Sequence, residues 1–89
     1  PNPTEMTIES QGRTFVRLEN GDQISFTEAE ADRLFDELWL LAGDMRGAVS
    51  AASKLRRARA WELLHGEDTL DANETAALRE AIRRVAADR

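Results

Sequence analysis

The chain changes its repeat at Phe26-Thr27. Up to Phe26 apolar residues alternate with polar ones; from Thr27 onward they recur at about 3.6 residues. That change separates a sheet-forming part from a helix-forming part. It confines the chain to an α+β fold, with helices packed on one face of a small antiparallel sheet.

The sheet part is TIESQGRTFVRLENGDQISFT, residues 7–27. Gln11-Gly12 and Asn20-Gly21 mark two turns, which leaves strands expected over about 6–10, 14–19 and 23–27 as a three-stranded meander. Three-residue loops place Leu18 opposite Ile24 and Val16 opposite Phe26, then Ile8 opposite Val16 and Met6 opposite Leu18. All six fall on one face, as a half-buried antiparallel sheet requires. A two-residue loop at Asn20-Gly21 pairs Leu18 with Gln23 and loses that pattern. Phe15 is left on the other face with Arg13 and Arg17.

Three helices are expected, over about 28–42, 45–65 and 72–87. Thr27 with Glu30, and Asp71 with Glu74, read as capping boxes, with Phe26/Ala31 and Leu70/Thr75 in the staple positions. Gly43 reads as the stop of the first helix, Asp44 as the cap of the second and Gly66 as its stop. The first and third helices correspond at an offset of 44 residues, read as two independent solutions to one capping problem because no strands precede the second box. Residues 1–5 read as a flexible leader and 6–89 as a single small domain.

The helices differ in how much apolar surface they carry. The third has one stripe, Leu78, Ala81, Ile82 and Val85. The first has the stripe Ala31, Leu34, Leu38 and Leu41, then a second made by Phe35 and Trp39, with Leu40 outside both. Such a helix is either central to the fold or in contact with a partner. The second helix has an apolar strip of Met45, Ala48, Val49, Ala52 and Leu55, and its small residues, with Gly47 and Ala51, admit a close neighbour. Its other face carries Arg46, Ser50, Lys54, Arg57, Trp61 and Leu64. Arg56 and Arg59 fall near the strip, so the helix is expected to bend or to end its packing near residue 56.

Charge narrows the function. The chain carries a net −5, distributed unevenly: residues 44–66 hold two acids and five bases, while 1–43 hold nine acids and three bases. The run KLRRAR, residues 54–59, concentrates the positive charge. Cysteine is absent and His65 is the single histidine, which excludes disulfides and the usual Cys/His zinc site. With neither disulfide nor metal to brace so small a core, self-association is the remaining common device. No nucleophile elbow or glycine-rich phosphate loop occurs, and carboxylate pairs such as Glu28/Asp32 suit a solvated helix face. No catalytic residue, metal ligand or cofactor is therefore expected. The longest apolar run, Leu38 to Ala42, is far short of the roughly 20 residues of a membrane span, and a cytoplasmic protein is expected.

The expectation is thus a small non-enzymatic protein-interaction or regulatory module, pairing with itself as a homodimer or with another protein. Phe35, Trp39, Leu40, Arg57, Trp61 and Leu64 are its candidate contact residues, because interface centres favour large aromatic, aliphatic and arginine side chains. The alternative is a nucleic-acid-binding regulator that uses Arg46, Lys54, Arg56, Arg57 and Arg59 against phosphates. Against it stand the acidic net charge and a third helix without Asn, Gln, Ser or Thr beyond its first turns to read bases. KLRRAR is expected to meet carboxylates rather than phosphates.

Overall fold

The computed structural model describes residues 13–65 and 68–88, with the backbone alone for 59–65 and 68. Its elements are β1 (Arg13–Arg17), β2 (Gln23–Thr27), α1 (Glu28–Leu40), α2 (Ala48–His65), β3 (Asp68–Thr69) and α3 (Ala72–Ala87). The class is α+β, as expected.

β1 and β2 form the antiparallel hairpin, with a three-residue loop. Its pairing is Thr14 with Phe26, Val16 with Ile24 and Arg17 with Gln23. The expected pairs, Leu18 with Ile24 and Val16 with Phe26, are displaced by two residues. The reason is Gly21: its φ of 94° is the left-handed conformation that closes a three-residue loop. Glycine must therefore be the last loop residue, so the loop is 19–21. The Gly21 amide donates to Leu18 O at 2.9 Å and the Leu18 amide to Asp22 O at 2.7 Å. A two-residue displacement keeps every side chain on its face. Val16, Leu18 and Phe26 are buried and Ile24 packs against the same core.

The meander itself is corrected. The sheet order is β2-β1-β3, and β3 runs parallel to β1, with Val16 opposite Asp68 and Arg17 opposite Thr69. The Leu70 amide extends the ladder to Arg17 O at 2.8 Å. The edge reserved for residues 6–10 is thus occupied at Val16 and Arg17. The strand expected at 6–10, the leader 1–5, and Met6 and Ile8 lie outside the described residues.

Both capping boxes form. Thr27 Oγ1 accepts the Glu30 amide at 3.1 Å, and Glu30 Oε1 accepts the Thr27 amide at 2.7 Å. Asp71 Oδ1 accepts the Glu74 amide at 2.8 Å, and Glu74 Oε1 the Asp71 amide at 2.9 Å. The α1–α2 connection departs from expectation. α1 ends at Leu40, and α2 starts at Ala48 rather than at residue 45. Gly43 is not left-handed, and Asp44 lies four residues before α2 rather than at its cap; the left-handed residue in this connection is Gly47, with φ 89°. A Cβ there would meet Asn73 at 2.7 Å, so Gly47 also lets α2 approach the first turn of α3.

The core joins the sheet face to all three helices: Val16, Leu34, Leu38, Leu41, Leu55, Leu70 and Leu78 are buried in one cluster. α2 contributes Ala48, Ala51, Ala52, Leu55 and Ala58. Burial of Ala58 carries its packing past residue 56, where a bend or a stop was expected. Val49 leaves the expected strip for the surface. Two further contacts tie the ends together: Arg33 pairs with Asp88 at 3.1 Å, and the Glu19 amide donates to Thr75 Oγ1 at 3.0 Å.

Candidate functional site

Leu38 is fully buried, whereas the next two residues are not: Trp39 is 50% exposed and Leu40 71%. The helical turn produces this, since successive side chains diverge by about 100° and the core takes only one stripe. Phe35, one turn before Trp39, is partly buried against the core. Its ring meets Trp39 edge-on, with centroids 6.0 Å apart and planes at 71°. That is a favoured aromatic geometry. Arg56 of α2 lies over the same Phe35 ring, its guanidinium carbon 5.4 Å from the centroid, within cation–π range. A Trp39–Phe35–Arg56 stack thus bridges the α1–α2 flank and is open to solvent at the indole.

A separate groove of about 510 Å³ runs along the first turns of α2, with Ala42, Met45 and Val49 as apolar lining and Arg46, Lys54 and Arg57 as basic lining. Val49 is 43% exposed. The sequence placed it in the apolar strip, because Met45 and Ala52 stand four residues before it and three after it.

Lys54 is committed inward. Its ammonium lies 2.7 Å from Glu74 Oε1 and 3.1 Å from Thr69 O. Glu74 is 97% buried, being 3% exposed. Burial pushes its carboxyl up; the Lys54 hydrogen bond, the Asp71 amide, the Ser50 side chain and the Lys54 charge outweigh this and hold it below the usual carboxylate range. Nothing local in the sequence pairs Lys54 with Glu74, which lie twenty residues apart.

The expected contact residues are therefore partly assembled. Phe35 and Trp39 touch; Leu40 projects from the same helix on another side. Arg57 lines the groove, and Arg56 holds the place beside the aromatic pair. α2 runs through Trp61 and Leu64, whose side chains lie outside the described residues, as does that of Arg59. Of the basic set, Arg46, Lys54 and Arg57 share the groove while Arg56 turns to Phe35. Among the described residues no helix is long and apolar enough to cross a membrane, and no cluster of three or more His, Asp or Glu could hold a metal ion.

No protein-family model matches the chain, and no similar curated protein or solved structure was found.

Proposed function

We propose that the chain is a small non-enzymatic interaction or regulatory module that self-associates through the apolar and aromatic surface at the end of α1. One observation carries the reading: Phe35, Trp39 and Leu40 lie within two helical turns, and Trp39 and Leu40 remain outside the core of a single copy. Isolated exposed apolar residues are ordinary on protein surfaces; two large ones in succession, one of them in an arginine-backed aromatic pair, have the make-up of an interface centre. Trp39→Ala tests it. Light scattering is expected to show weakened self-association, with the thermal midpoint nearly unchanged. A lowered midpoint with association intact would make Trp39 a fold residue and remove the surface from this role.

A second reading, nucleic-acid binding by α2, draws on the basic lining of the groove. The commitment of Lys54 to Glu74 and the net charge of −5 weaken it. Fluorescence titration with duplex and single-stranded DNA at low salt decides it, since phosphate-driven binding is strongest there.

A further inference from the structure

Leu40 is the most exposed large apolar residue described. Asp36 and Glu37 precede it by four and three residues, on its own side of α1. The groove on α2 has the opposite character: an apolar lining of Ala42, Met45 and Val49 beside Arg46.

The charges at these two places work against their own helices. α1 has no base in its last turn, where the dipole favours one, and carries Glu37 there. α2 has no acid in its first turn, and Arg46 stands just ahead of it. Each arrangement costs local stability. Among the described residues Asp36, Glu37, Asp44 and Arg46 make no ion pair.

We propose that the occupant of the groove is Leu40 of a second copy of this chain, with Asp36 and Glu37 of that copy against Arg46. The proposal rests on the self-association reading and specifies its geometry. Knob and groove flank the same α1–α2 connection, so a two-fold axis beside residues 41–47 sets both contacts reciprocally and closes a dimer. An acid-rimmed leucine meets a base-rimmed apolar groove, and each misplaced helix-end charge gains an ion-pair partner that it does not have among the described residues.

Charge reversal tests the arrangement by sedimentation velocity on the whole chain. Arg46→Glu, and separately Asp36→Arg with Glu37→Arg, are each expected to weaken the dimer about tenfold, and the triple variant to return within about threefold of the wild type. Leu40→Ser is expected to weaken it at least as much. All four residues lie at the surface or its edge, and circular dichroism confirms each variant folded. If the wild type self-associates but neither reversal weakens it, or the triple variant is not rescued, this docking is overturned and self-association by another surface stands. If the wild type stays monomeric at every concentration, both are overturned.

Discussion

Lys54 Nζ reaches Glu74 Oε1 at 2.7 Å, and the same oxygen accepts the Asp71 amide at 2.9 Å. One carboxylate therefore closes the capping box of α3 and anchors α2 to it. The ammonium also holds Thr69 O, which ties β3 into the same junction. Lys54→Met leaves Glu74 buried without its cation and is expected to cost about 2–3 kcal/mol. Glu74→Ala removes cap and pair together, at about 3 kcal/mol. The double variant, Lys54→Met with Glu74→Gln, is expected to cost less than the sum of Lys54→Met and Glu74→Gln measured singly, since no buried charge is left alone. Urea unfolding of all four variants measures these costs.

The same carboxylate makes stability depend on pH. Glu74 is held below its ordinary value of 4.5 in the folded chain. The folded state thus binds its proton less readily than the unfolded state. Its contribution is complete above that ordinary value and disappears as pH falls through the depressed one. Urea midpoints taken on acidification are expected to fall for the wild type. Glu74→Gln should show a shallower decline, with the remaining slope including Glu80, which hydrogen bonds to Arg83 and Arg84 also hold low.

Two glycines in the α1–α2 connection should respond oppositely. Gly47 has φ 89°, and a Cβ would stand 2.7 Å from the Asn73 carbonyl carbon, which is backbone and cannot yield cheaply. Gly47→Ala is expected to cost about 2 kcal/mol or more. Gly43 has neither a positive φ nor a neighbour within 4 Å. Gly43→Ala should be neutral or stabilise by about 0.5 kcal/mol, by restricting the unfolded chain. Thermal melts of the two variants compare them directly.

Leu38 and Leu40 lie two residues apart and should separate folding from association. Leu38 is fully buried, so Leu38→Ala is expected to cost about 3 kcal/mol through lost burial and a cavity. Leu40→Ser, at a position 71% exposed, should change the unfolding free energy by no more than about 0.5 kcal/mol.

Local chemistry made much of this fold readable in advance. Both capping boxes form at the residues that spell them, because a box is closed by groups three residues apart. The stripe Ala31, Leu34, Leu38 and Leu41 is buried, because helical spacing sets it. The hairpin shows where legibility thins. Its loop length and faces followed from alternation, yet its register depended on which loop residue takes the left-handed conformation, and alternation is blind to a two-residue displacement. The start of α2 was misread because Gly43-Asp44 looks like a stop and a cap, whereas the close approach to Asn73 decides in favour of Gly47. Non-local contacts were not readable at all: the Lys54–Glu74 pair and the parallel seat of β3 on β1 join segments whose distance in the chain carries no signal. At the candidate surface the exposure of Trp39 and Leu40 agrees with the excess of apolar residues on α1. The seat of Arg56 over Phe35 was not readable, since it depends on the packing angle of two helices.

The central claim is that the surface containing Trp39 and Leu40 is where one copy of this chain meets another. Sedimentation equilibrium of the wild-type chain over a wide concentration range tests it most directly. The account predicts a mass that rises with concentration toward that of a dimer, and that stays near the monomer in Leu40→Ser. A wild-type mass that remains that of one chain throughout would contradict it.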